Sequence, residues 1–128
     1  SSDGSAVKLK IGLEGSAGGS FTGSETNTPY INSVLNANLQ IATNNTARWT
    51  YTASGHFFPH DDNTYDIGSS SKRVRNVYTT DLKLSNEGSQ NDVDSTWGNY
   101  TIQEGHEDLF LINHRTGKKF KFNLTEVA

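Results

Sequence analysis

The chain has no cysteine, no methionine and only two prolines among its 128 residues. Without cysteine there is no disulfide framework, no thiol nucleophile and no thiolate-bound zinc. Without methionine, residue 1 is not a translation start, and the chain is expected to be a processed product or a piece of a longer one. Apolar residues are scarce as well, at 32%. No run approaches the roughly 18 consecutive apolar residues of a membrane span. Positive charge is in deficit: 11 Lys and Arg face 14 Asp and Glu, for a net charge of -3. That balance offers no general attraction to nucleic acid or anionic lipid. What fills the chain instead is 14 Ser, 14 Thr and 13 Asn, 41 of the 128 residues. Such a polar chain has little apolar surface from which to build a private core. Its length bounds it to one domain or two small modules.

Aromatic residues are not scarce. Six Phe, five Tyr and two Trp are too many for a solvated tail. They sit in short alternating runs bounded by Gly, Asn and Asp, which is the pattern of strands. Val7, Leu9, Ile11 and Leu13 alternate with polar or small residues and predict a strand over 7–13. Residues 15–24 are Gly/Ser-rich and read as a flexible loop or linker. Strands are expected over 35–43 and 49–53. A two-residue loop at Asn44-Asn45 would set Ile41 opposite Arg48. A three-residue loop, or a bulge of equal effect, sets Ile41 opposite Trp49 and Leu39 opposite Tyr51. The second register puts the large apolar residues on one face, with Asn in the left-handed conformation.

Residues 55–68 are turn-rich, and Pro59 with Asp61, Asp62 and Asn63 should break any regular element. Ser69, Ser70 and Ser71 could cap one helical turn over 72–78. Leu82 and Leu84 resume strand alternation. A polar loop over 85–96, a strand over 97–103 and a hairpin follow. The hairpin joins 109–113 to the alternation of Phe120, Phe122 and Leu124 through a loop over 114–118, with Gly117 at positive φ. The expected organisation is an N-terminal strand with linker over 1–34, a β module over 35–84 and a C-terminal hairpin module over 85–128. The fold class is all-β, made of short strands and hairpins with long polar loops. Residue chemistry points no further than a secreted-like or virion-like β protein.

Two stretches carry a resemblance. One runs from Leu39 through Trp49-Thr-Tyr-Thr-Ala-Ser-Gly-His-Phe-Phe-Pro59. It continues with Asn63-Thr-Tyr-Asp-Ile-Gly-Ser-Ser-Ser-Lys-Arg-Val-Arg-Asn-Val-Tyr78. The other comprises Trp97-Gly-Asn-Tyr-Thr-Ile-Gln-Glu-Gly105 and Leu109-Phe-Leu-Ile-Asn-His-Arg-Thr-Gly-Lys118. The first resembles tail-fibre and related virion fibre proteins of bacteriophages. The second resembles the C-terminal end of fibre-like proteins of marine phages, cyanophages especially. The resemblance implies an intertwined homotrimeric fibre in a virion, here the distal part of a tail fibre that attaches to the host surface. Alternatives are a capsid decoration or head fibre protein, or a glycan-cleaving tailspike. Implied partners are the chain itself, other fibre, tail or capsid proteins, and a host-surface glycan or protein. Many such fibres end in a self-cleaving chaperone that starts at a Ser-Asp junction and continues in a long Lys-rich helical segment. Ser85-Asn86 is the nearest match and no such segment follows, so self-cleavage is not expected.

Several clusters bear on chemistry. His56, His60, Asp61 and Asp62 form the densest set of metal-ligand types. Pro59 removes the helix that would give the His56–His60 spacing meaning. On a trimer axis, three copies of one His could still hold a metal; otherwise the segment is a solvated turn. Asp92 and Asp94, with Asn91, Glu87 and Gly88, superficially suggest a calcium loop but lack the EF-hand order, which favours Asx turns. Glu104, Glu107 and Asp108 could be paired carboxylates, but glycoside cleavage needs them about 5 to 9 Å apart across a cleft. Lys72, Arg73 and Arg75 form one basic cluster, and Lys118, Lys119 and Lys121 another. Arg73 or Arg75 could pair with Asp66 or Asp81 of a neighbouring chain. Lys119 and Lys121 should line the wet face of the last strand and discourage edge pairing. Hot-spot residue types make Trp97, Tyr100, His106 and His114 candidates for receptor contact, and loop position adds Asp108 and Arg115, on tip loops over 104–108 and 114–118. For Trp49 and Trp97, filling a trimer core is the favoured reading. Three sequons, at Asn44, Asn99 and Asn123, are expected by chance in a chain so rich in Asn and Thr. No catalytic residue, resident metal, cofactor or nucleic-acid partner is expected.

Overall fold

Alternating apolar residues form nine short strands in the computed structural model, which describes residues 9–127. All are antiparallel, and no helix occurs among the described residues. The expected all-β class is what the structure has. The chain divides into two units between Arg73 and Val74, whereas the sequence placed module boundaries near residues 34 and 85.

The first unit contains two sheets. Strands β1 (Leu9–Leu13) and β2 (Pro29–Ser33) pair with Ile11 facing Ile31 and Leu13 facing Pro29. Val7, the first residue of the expected strand, lies outside the described residues. Strand β2 was not expected, so the Gly/Ser-rich stretch is the connection of a hairpin rather than a linker. Glu14, just before that stretch, extends the ladder, its N donating to Thr28 O at 2.9 Å. On the second face Gly12 lies close under Tyr30. A Cβ there would lie 3.0 Å from the Tyr30 hydroxyl, and the Tyr30 ring packs edge-on against Phe21 at 5.3 Å.

Strands β3 (Leu39–Thr43), β4 (Thr46–Tyr51) and β5 (Phe57–Pro59) form the second sheet in that order. Leu39 faces Tyr51 and Ile41 faces Trp49, the expected register. The device is the bulge rather than the three-residue loop. Thr43 faces Thr46 across a two-residue turn, Asn44-Asn45, and Ala42 faces Ala47, which leaves Arg48 as the extra residue. Both turn residues have positive φ, 51° and 55°, as a type I′ turn requires. Phe57 joins the same face, stacked on Trp49 at 4.8 Å and tilted against Tyr51 at 4.4 Å.

Pro59 does not abolish regular structure. It ends an edge strand, where its missing N–H removes no ladder bond, and the ladder continues with His60 N donating to Arg48 O at 2.8 Å. The helical turn expected over 72–78 is also absent. Ser69 makes only a local turn, its hydroxyl accepting from Lys72 N at 3.0 Å. The β-branched Val74 and Val77 then disfavour helix propagation.

The second unit is one four-stranded meander, β6 (Leu82–Ser85), β7 (Asn99–Glu104), β8 (Leu109–Asn113) and β9 (Lys119–Lys121). The expected C-terminal hairpin is present, with Gly117 at φ 70°. The register aligns Leu82, Ile102, Leu111 and Phe120 in one row across all four strands. Strand β6, grouped with the middle module in the sequence, belongs to this sheet. Trp97 and Gly98, expected in a strand, precede β7 in its entry loop.

No apolar residue is fully buried among the described residues. The buried side chains are Glu14, Thr50 and Thr101. Ile11 is 76% exposed and Ile31 61%, although they pair across one face. The chain exposes 11046 Å², whereas two separate compact units of half its mass would expose about 8100 Å² in total.

Candidate functional site

The β6–β7 loop and the β8–β9 loop meet at one end of the four-stranded sheet. Asn86 shapes the first. Its side-chain oxygen accepts from Gly98 N at 2.6 Å, and its carbonyl accepts from Ser89 N at 2.9 Å. Asn91 then closes an Asx turn, its side-chain oxygen accepting from Val93 N at 2.8 Å and Asp94 N at 3.1 Å. The Asn91 amide donates to Asp94 Oδ1 and to Thr96 O, each at 2.7 Å. Asp94 Oδ1 also accepts from the Thr96 hydroxyl and amide. These bonds to the charged carboxylate, Asn91 first and Thr96 next, hold the Asp94 pKa below its ordinary value. Of the residues that superficially suggested a calcium loop, Asn91 and Asp94 are therefore occupied with each other and with Thr96. No group of three metal-ligating side chains forms among the described residues.

This loop delivers Trp97 to the β8–β9 loop. The Arg115 guanidinium lies over the Trp97 ring, 3.9 Å from its centroid, and Arg115 Nη1 donates to the Trp97 carbonyl at 2.6 Å. Asn113 Nδ2 donates to the Tyr100 hydroxyl at 2.9 Å, and His114 Nε2 lies 2.7 Å from Thr101 Oγ1. Four of the six sequence candidates, Trp97, Tyr100, His114 and Arg115, thus gather at one sheet end. An open hollow of about 980 Å³ lies beside Trp97, with Gln90, Asn91, Asp92 and Ser95 on its wall.

His106 and Asp108 are elsewhere. They sit in the β7–β8 turn at the opposite end of β7, a strand that spans about 17 Å at 3.4 Å per residue. There Gly105 N donates to Asp108 O at 2.7 Å. Asp108 Oδ1 is paired with Lys121 Nζ at 2.8 Å, and His106 lies 3.9 Å from Glu107 with both side chains in solvent. Of the acidic trio considered for glycan cleavage, Glu104 ends β7, Glu107 is in solvent and Asp108 is held by a lysine.

In the first unit, His56 and His60 flank β5 about 13 Å apart along an extended backbone. His60 instead approaches Gln40 Nε2 at 3.4 Å. Arg73 donates to the Ser70 carbonyl at 3.1 Å, and Asp81 accepts from Gln103 Nε2 at 3.0 Å. No ion pair joins Arg73 or Arg75 to Asp66 or Asp81 within the chain among the described residues.

Two features escaped the sequence. Gln90 and Ser95 were not singled out; their only signal is a place in the loop that leads to Trp97. The second is a network on the bulged Arg48. Its Nη1 donates to the Tyr65 hydroxyl at 3.0 Å, and that hydroxyl donates to Asp61 Oδ2 at 3.2 Å. This network gives Tyr65 of the Asn-Thr-Tyr-Asp stretch a structural task, tying the 60–66 segment to β4.

Comparison with protein-family models, with curated proteins and with solved structures returned no match.

Proposed function

We propose that this chain is the distal part of a homotrimeric bacteriophage tail fibre, a virion structural protein that attaches to the host surface without catalytic activity. The observation that carries the reading is the uncovered apolar faces on its sheets. Ile11, Leu13 and Ile31 project from the first sheet, Ile41 and Tyr51 from the second, and Leu82, Leu84 and Phe120 from the third, all exposed in the single chain. Chains that intertwine bury such faces against one another, so a protomer can do without a private core. The fibre-like stretches over 39–78 and 97–118 support the virion setting. Tip loops on three identical chains then act together, since three weak sites on one stalk raise avidity without any new contact.

Antibody labelling of intact virions, imaged by electron microscopy, tests the setting. Label at the ends of tail fibres is the expected result. Label on the capsid would replace the tail assignment with a head-fibre role. Purified chain should also compete with virions for the host surface, and failure to compete would remove the attachment role.

A further inference from the structure

We infer that the connection between β1 and β2 binds a calcium ion through the carboxylates of Glu14 and Glu25. Glu14 is 2% exposed and is the one acid among the buried side chains of the described residues. Its Oε1 accepts from Ser20 N at 3.1 Å. Its Oε2 is sealed from solvent and receives no hydrogen bond, alone among the side-chain atoms of the described residues. A charge buried without a full set of partners is among the costliest features a fold can carry. The connection is built around this group. Gly15 O accepts from Gly18 N at 3.1 Å and from Asn27 N at 3.3 Å, and Ser24 Oγ accepts from Gly19 N at 3.0 Å. These bonds turn the chain back on itself with Ser20 against Glu14. Glu14 also borders a small hollow of about 190 Å³, with Phe21, Ser24, Glu25, Thr28 and Tyr30 on its wall.

No cation of the chain answers these two acids. Residues 11–47 contain no Lys, Arg or His, and Glu14 and Glu25 are their only charged side chains. Lys10 is exposed and lies four residues from Glu14, about 13 Å of extended backbone. Tyr30, packed over Gly12, stands between them. Arg48 is engaged by Thr43 and Tyr65. No ion pair reaches either glutamate among the described residues. The donors are all oxygens, two carboxylates and the Ser24 and Thr28 hydroxyls, a set suited to a hard cation. Two carboxylates balance a divalent charge. Calcium meets oxygen at about 2.3–2.6 Å, closer than a water at about 2.8 Å, so it can reach an atom that solvent does not. It accepts irregular coordination completed by water, whereas magnesium demands a near-octahedral shell. At about 30 Å³ each, several waters fit the hollow. With no third acid or histidine in the group, the affinity belongs to the weak class, with a Kd of about 0.1–1 mM.

The test is a calcium titration of the full chain, stripped with EDTA and followed by amide chemical shifts in about 0.1 M NaCl, which screens the exposed acids. Calcium should give saturating shifts centred on 14–30, with a Kd of about 0.1–1 mM, and magnesium should bind at least about tenfold more weakly. Glu25→Gln, at an exposed position, should weaken calcium binding about tenfold or more and leave the rest of the spectrum in place. Glu14→Gln should abolish binding, yet fold at least as well in EDTA, because a neutral amide tolerates burial better than a carboxylate. If Glu14→Gln does not fold, Glu25→Gln decides the matter alone. No saturation by about 10 mM calcium, well above the expected Kd, overturns the inference. So does an equal response to magnesium, a response centred on the Asp92–Asp94 loop, or an unchanged affinity in Glu25→Gln. The site lies within one chain and does not rest on the fibre reading. A monomer that binds calcium here would sink the trimer and keep the site, and a trimer that does not would do the reverse.

Discussion

Asn44 and Asn45 show how single residues set this fold. Both occupy the left-handed region, φ 51° and 55°, where a side chain with a Cβ costs about 1–2 kcal/mol unless it is Asn, Asp or Gly. Asn45→Val should therefore lower stability by about that amount in a denaturant melt, and Asn45→Gly should leave it unchanged or slightly raised. Asp94 makes a prediction in pH. Its folded pKa is depressed by Asn91 and Thr96, so its contribution to loop order is complete above the unfolded value, about 3.9. That contribution is lost as pH falls through the lower folded value. Thr96 amide shifts should hold steady from neutral pH down past that point and move only in stronger acid. Asp94→Asn should abolish that acid transition. Residues whose role is local were legible in the sequence: the left-handed Asn pair, Gly117, and the Asx-turn character of Asn91. The bond of Arg48 was not, because its partner Tyr65 lies 17 positions away.

At the scale of the element, alternation was a reliable guide wherever apolar residues recur at every second position. It found β1, β3, β4, β6, β7 and β9 to within a few residues, and a short apolar run marked β8. It missed β2, where Tyr30 and Ile31 are adjacent and alternate with nothing. It missed β5 because Pro59 argued for a break and an edge position removes that argument. The candidate site was half legible. Residue type selected Trp97, Tyr100, His114 and Arg115, but only the meander reveals that His106 and Asp108 lie at the far end of β7. The apolar pair Ile11–Ile31 yields the sharpest element-level prediction. In a lone chain Ile31 is 61% exposed, and Ile31→Ala would cost less than about 1 kcal/mol, as at a solvent-facing strand position. Within a trimer that covers this face, the same change should cost about 2–5 kcal/mol. Thermal unfolding of both variants at several protein concentrations separates the cases.

The whole molecule presents an imbalance that one chain does not resolve. It has three well-registered sheets and no buried apolar residue among the described ones. Its surface exceeds that of two compact units of half its mass by about 3000 Å², comparable to the area buried in obligate assemblies. The trimeric fibre proposal removes the imbalance by giving those faces a partner of the same sequence. The direct test is the solution mass of the purified chain, by light scattering with sedimentation as a check. The account predicts a mass three times the 14.0 kDa of one chain, constant on dilution. A stable 14.0 kDa species with cooperative unfolding would contradict it, because the exposed faces would then need no partner.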